Sequence, residues 1–385
     1  MRKILLAVPL IAVCVVPALA KDVIVVIENG VSTGFGRQGL TAFADNFEND
    51  PRTLTLDVLG HPFDFIVPSA GCGAACTSFT FKSPELGINQ TFTGVNTSDL
   101  TRQFRDFIKS DRFLKPFMRL MNSGPGAQIS GTPVTAVGAA VRNGFQDAMF
   151  GDIRTQEQLD SKTPPGRDPQ FSGGFAQFSS EGYQGQVLAF TPGFTLDFGE
   201  KRDSHLKFSF PLARTDLEGL MTYRVGMALQ YLHPIYFDGG WTLTLGPGLS
   251  YSTTISQDLP NYTGLIGGAM STSLQRDWDR VFATGALYYG RFTNLGGIDT
   301  DILANIYGWG GQVGMRWSKR WVTALQLVGV HERVADIAPN TYHTAGLAVT
   351  YKIINNFDLT LSANKMFGLP NQRVADVGLG SAWFF

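Results

Sequence analysis

The final stretch of the chain limits most strongly what the rest can become. In DVGLGSAWFF, Val377, Leu379, Trp383 and Phe385 share one parity and the stripe runs to the last residue, while Gly378, Gly380, Ala382 and Phe384 share the other. A period of two sends successive side chains to opposite faces of a strand. One face of this strand is therefore apolar along its length, and it has to be covered by lipid or by a second sheet.

The same alternation recurs from about Gln170 onward. Leu188, Phe190, Phe194, Leu196 and Phe198 alternate with Ala189, Thr191, Gly193, Thr195 and Asp197; Leu206, Phe208, Phe210 and Leu212 repeat the pattern. Tyr223, Val225, Met227, Leu229 and Tyr231 alternate with Thr222, Arg224, Gly226, Ala228 and Gln230. Similar runs start at Trp241, Tyr307, Leu347 and Phe357. Short connections at EKRDSH, DGG, RDWDR, SKR and NN alternate with longer ones at ARTDLEG, TTISQDLPNYTG, FTNLGGIDTD, ERVADIAPNT and FGLPNQRV. With an initial strand near 170–180, the pattern predicts an all-β, antiparallel transmembrane barrel of about twelve strands. A soluble sandwich alternates too, but it would not place aromatics near both ends of the apolar faces.

A C-terminal strand of alternating apolar residues ending in Phe resembles those of bacterial outer-membrane β-barrel proteins, with a weaker similarity to autotransporter-type translocator barrels. The resemblance implies a place in the bacterial outer membrane after secretion, and Phe385, with Trp383 beside it, as an assembly signal read by the barrel assembly machinery. It also implies outer-membrane lipid and periplasmic chaperones as partners.

The N-terminus agrees with export. Arg2 and Lys3, the apolar run from Ile4 to Val16 and then Ala18-Leu19-Ala20 form a secretory signal over residues 1–20, with a mature start at Lys21. Past it there is no apolar run of about 18 residues, so no transmembrane helix is expected. A net charge of -1 gives no general pull toward nucleic acid. The 44 glycines and 29 phenylalanines suit a crowded barrel interior and its interface girdles.

Residues 21–98 read as a β-rich segment. Its GCGAAC motif holds Cys72 and Cys76, expected to pair as a disulfide in an oxidising periplasm. A metal site there would need further ligands, and His61 alone is near. Residues 99–151 read as two helices, forming with 21–98 a small mixed α/β extension. Asp99 is the expected cap of the first, in which Leu100, Phe104, Phe107, Ile108, Leu114, Met118 and Met121 make an apolar face and six Arg and Lys residues a basic one; Pro116 should kink it. The second runs from Thr132 to about Phe150. Residues 152–169 read as a linker and 170–385 as the barrel. The first helix has three readings: core of a periplasmic domain, plug of the lumen, or a membrane-surface helix.

No G-x-S-x-G, H-E-x-x-H or phosphate loop is present, so no catalytic residue, cofactor or metal site is expected. Outer-membrane phospholipase A carries a His followed two residues later by Ser. Here His205, His233, His331 and His343 are followed instead by Lys207, Ile235, Arg333 and Ala345. The polar parity carries the remaining signal. Asp197, Lys207, Arg224, Arg316, Lys352, Asp358 and Asp376 are expected to face a lumen, as an ion-paired filling or as a charge-selective path. The sequence thus points to a channel or transport component for small polar solutes with a possible N-terminal plug. Its rivals are an autotransporter-like display barrel and a lipid-modifying enzyme.

Overall fold

In the barrel sheet every strand finds two neighbours. The computed structural model describes residues 24–28, 31–34, 53–58, 61–66, 78–110, 112–113, 116–117, 120, 168–180, 183–198, 204–217, 220–256, 262–294, 303–334, 339–354, 357–368 and 372–383. The expected signal segment, Cys72, Cys76, the expected second helix and Phe385 lie outside them; of Trp383 the backbone is described.

The barrel strands are β7 (Asp168–Ser180), β8 (Tyr183–Phe198), β9 (Ser204–Ser209), β10 (Leu212–Leu217), β11 (Leu220–Phe237), β12 (Trp241–Ser256), β13 (Tyr262–Trp278), β14 (Val281–Asn294), β15 (Leu303–Arg316), β16 (Trp321–Val334), β17 (Asn340–Ile354), β18 (Phe357–Phe367) and β19 (Gln372–Trp383). All pairings are antiparallel, and β19 closes on β7 with Val377 opposite Phe175. β9 and β10 both lie between β8 and β11 in one unbroken register, so they are halves of one span. The interruption is Pro211, which has no N–H to give the ladder; its carbonyl still accepts from Gly226 at 2.8 Å, and Phe210 N–H donates to Pro192 at 2.9 Å. Counted so, the barrel has twelve spans. Closure leaves no unpaired edge, the condition for crossing lipid with strands.

The expected external loop ARTDLEG is a correction. β10 runs through Asp216 to Leu217, leaving only 218–219 as connection. Its charges read as loop, but Arg214 and Asp216 lie on the outer face near the strand end, 3.5 Å apart, while Thr215 and Leu217 point inward and are buried.

The outer wall is apolar, with Leu188, Leu249, Leu287 and Leu325 each more than 60% exposed. Trp278, Trp317 and Phe237 are exposed toward the end that holds both chain ends of the barrel, and Tyr289, Tyr307, Trp309 and Phe367 toward the other. Tyr307 and Trp317 lie on opposite rows; about ten residues of tilted strand separate them, roughly 25 Å, the height of an outer-membrane apolar band. This closed antiparallel barrel with a lipid-fitted wall is a bacterial outer-membrane β-barrel. Its even span count puts both chain ends of the barrel at one end, with the short turns, and the longer connections at the other; in bacterial outer-membrane barrels as a class the short turns face the periplasm.

Ahead of the barrel stands a six-stranded antiparallel sheet of β1 (Ile24–Glu28), β2 (Val31–Gly34), β3 (Thr53–Val58), β4 (His61–Ile66), β5 (Ser78–Ser83) and β6 (Ile88–Thr93), in the order β2-β1-β3-β4-β5-β6. One face of β3 to β6 is polar, with Thr55 donating to Asp64 at 2.7 Å. The other carries Leu54, Leu56, Val58, Phe63, Phe65, Phe79, Phe81 and Phe92, all buried. Helix α1 (Thr97–Ile108) seals that face with Leu100, Phe104 and Ile108, one turn apart. Phe104 is the hub: its ring lies 5.4 to 5.7 Å from those of Phe65, Phe79, Phe81 and Phe92. The cap of α1 is Asn96 and not Asp99: Asn96 Oδ1 accepts from Asp99 N–H at 2.9 Å, while Asp99 Oδ2 accepts from Val95 N–H at 3.4 Å. The helix starts earlier than the apolar spacing suggested because Asn96 offers the first free acceptor.

Candidate functional site

The site is the inner wall, and strand parity builds it. Even positions of β11, β12 and β14 to β19 and odd positions of β8 to β10 and β13 share the inner face, as the register requires. From the terminal end outward, this face passes through three tiers.

The first tier is charged. On β8 and β9, Asp197 Oδ1 and His205 Nδ1 are hydrogen-bonded at 2.7 Å, and Lys207 stands one step inward, opposite Thr195. Across the barrel Lys352 and Asp358 are register partners on β17 and β18. Arg316, at the end of β15, donates to Asp277 at 2.6 Å and lies 4.8 Å above the ring of Phe282. Lys207, Arg316, Lys352 and Asp358 are 2 to 8% exposed. Charges so far from water persist only when paired, and each cation here has a carboxylate or a polar neighbour in register. Arg316 joins β13 to β15 across β14, which ties neighbouring turns together as well as setting local charge.

The second tier is an amide lattice threaded over glycines. Gln326 on β16 donates to Asn364 on β18 at 2.6 Å, and Asn364 donates to Asp376 on β19 at 2.6 Å. The bridge passes over Gly346 of β17, where a Cβ would overlap Asn364 and come within 2.7 Å of Gln326 Nε2. Gln230 reaches Ser271 at 3.0 Å in the same manner, over Gly246 of β12. Here glycine is needed for close approach, since a methyl group would fill the channel the amide uses. Arg224, on the inner parity of β11, stands beyond this lattice toward the loop end, partly buried between Ala213 and Thr254.

The third tier, at the loop end, is apolar. Phe178, Tyr183, Leu217, Leu265, Phe292, Ala304, Ile306, Val330, Tyr342, Met366 and Val374 come from nearly every span and are all buried on the inner side. Glu332 lies among them with Tyr342 Oη donating to it at 3.0 Å. These residues and the phenylalanine core of the small sheet belong to one hydrophobic cluster, whereas Phe282, Val322 and Ala324 at the terminal end form a separate one.

The register thus sets Asp197 beside Lys207 and Lys352 beside Asp358, carries Asp376 into the amide lattice, and leaves Arg224 and Arg316 on separate strands. Sequence reasoning missed the apolar collar. Through their middle β14 and β16 are apolar at both parities, as in GALYYG and LVGV, and a run apolar on both faces carries no period, while beyond it the outward Arg291, Asn305 and Arg333 give these strand ends the look of loops. It also missed Asp277 and Glu332, which adjoin turn and loop charges. Among the described residues no group of three or more His, Cys, Asp or Glu is set to hold a metal, and no helix is long and apolar enough to cross a membrane.

No protein-family model matches the chain, and no curated protein matches it in sequence. Solved structures similar to it include the translocator domain of the autotransporter NalP from Neisseria meningitidis, at 14% identity and a TM-score of 0.43 over 66% of this chain and 100% of that one. An outer membrane channel from Pseudomonas putida F1 is similar at 9% identity and a TM-score of 0.47, over 58% and 97%. The NanC porin is similar at 12% identity and a TM-score of 0.37, over 56% and 98%. Such values speak of barrel architecture alone.

Proposed function

We propose that this barrel is a passive path for small polar solutes across the outer membrane, closed at its outer end by the apolar collar together with the N-terminal extension. The supporting observation is the continuity of one hydrophobic cluster from the collar to the core of the small sheet, above an inner wall that is otherwise charged and amide-rich. Polar tiers favour hydrated solutes. An apolar constriction resists them, so a path with this lining is shut by its dry section and opens when that section is wetted or its cover moves. Selectivity then rests on the first tier, where Lys207, Lys352 and Arg316 face Asp197, Asp358 and Asp277.

Liposome swelling tests the reading. Proteoliposomes of the whole protein should swell slowly in small sugars, and those of a variant lacking residues 21–167 several-fold faster. Equal, negligible swelling by both, with the barrel folded, contradicts it.

The same continuity also favours a second reading, a barrel that holds its N-terminal domain at the cell surface. Protease added to intact cells separates the two. Cleavage within 21–98 before the outer membrane is opened favours display, and protection favours a plug held within the lumen.

A further inference from the structure

The lipid-facing wall carries charge where an apolar wall should not. On β14, β15 and β16 the outer parity runs through Leu287, Leu303, Trp309, Val313 and Leu325, yet near the loop end it also holds Arg291, Asn305 and Arg333. These three are in register across adjacent strands, Arg291 opposite Asn305 and Asn305 opposite Arg333. Both arginines are exposed, Asn305 is partly so, and no Asp or Glu occupies a described outer position of these strands. Two strand spacings separate the arginines, about 10 Å, with the amide midway. Tyr289 Oη donates to Asn305 Oδ1 at 3.1 Å, which fixes the amide oxygen and leaves its N–H₂ as the outward donor. The constellation presents two guanidinium groups and an amide N–H₂ at one height, with no carboxylate, above a wall of aliphatic and aromatic side chains.

An arginine on the lipid face costs about 2–4 kcal/mol at the bilayer midplane and roughly 0–1 near the interface, so its place by the loop end is tolerable. Two of them flanking a fixed amide, without a carboxylate, match a planar or tetrahedral oxyanion held by bidentate guanidinium contacts. The apolar wall below matches acyl chains.

We propose that Arg291, Asn305 and Arg333 form a binding site for the phosphate of an acylated, phosphate-bearing lipid of the outer leaflet. The arginines clamp the phosphate oxygens from either side, the Asn305 amide donates from between them, and the chains lie down the wall over Leu287 and Trp309. The site stands apart from the lumen, so its function is independent of whether solutes pass.

Native mass spectrometry of the full-length protein in detergent, titrated with diphosphoryl lipid A, tests this. The wild-type protein should bind one molecule tightly enough to survive detergent exchange. Arg291→Gln with Arg333→Gln should weaken binding at least tenfold, and Asn305→Ala several-fold; Lys319→Gln with Arg320→Gln, at the opposite end, should leave it unchanged. Dephosphorylated lipid A should bind like the double variant, and millimolar inorganic phosphate should not displace the lipid. Folding of each variant is read from its heat-modifiable gel mobility. Equal binding by a folded double variant, equal binding of the dephosphorylated lipid, or displacement by inorganic phosphate overturns the proposal.

Discussion

Gly346 shows how much of this interior depends on a side chain that is not there. Gln326 and Asn364 share a hydrogen bond across β17 only because position 346 has no Cβ. Gly346→Val should push both amides off their partners and destabilise the barrel by about 1–3 kcal/mol, the usual penalty of overpacking, read as a lower midpoint for heat-induced loss of compact gel mobility. In the small domain Phe104 touches four rings, and Phe104→Ala should cost about 3–5 kcal/mol. Asn96→Ala removes only the cap and should cost about 1 kcal/mol. Both are measurable as increased protease sensitivity of the extension with the barrel left intact. At this scale the sequence was partly legible. The apolar positions of α1 could be read from their spacing, but its cap could not, because Asn96 and Asp99 are both good cap residues and only the chain path picks between them.

Among elements, the span formed by β9 and β10 is the informative one. Its outward residues Leu206, Phe208, Phe210 and Leu212 are readable as one alternating run, yet its second half has the composition of a loop because ARTDLEG is polar. Charge marks a loop only where no partner strand pairs it; here Arg214 and Asp216 face outward near the strand end while the backbone pairs on both sides. Pro211 removes one ladder bond to Gly226. Pro211→Ala should restore that N–H, add about 0.5–1.5 kcal/mol, and slow amide exchange at 210–213 in hydrogen-exchange measurements; unchanged exchange would mean the strand halves move independently. The collar was illegible for a related reason. In β14 and β16 it follows runs that are apolar on both faces, GALYYG and LVGV, so periodicity shows a buried strand and not what buries it.

For the molecule as a whole, two separate demands on parity produce one wall. Outside, apolar side chains meet lipid between two aromatic rows; inside, paired charge, amides and finally an apolar collar succeed one another along the axis. Between the two aromatic rows the outer pattern is the plainer one, since every exposed polar group in hydrocarbon is costly, and it was therefore readable strand by strand. The inner pattern depends on what each tier contacts, so its charges were readable as inward-facing and its order along the axis was not. Single-channel recording in planar bilayers tests the central claim most directly. The whole protein should be silent or flicker briefly, and the variant lacking residues 21–167 should conduct in steady steps whose reversal potential shifts with Lys207→Gln or Lys352→Gln. Silence from a folded truncated barrel, or the same steady conductance from both proteins, would contradict a collar closed by the extension.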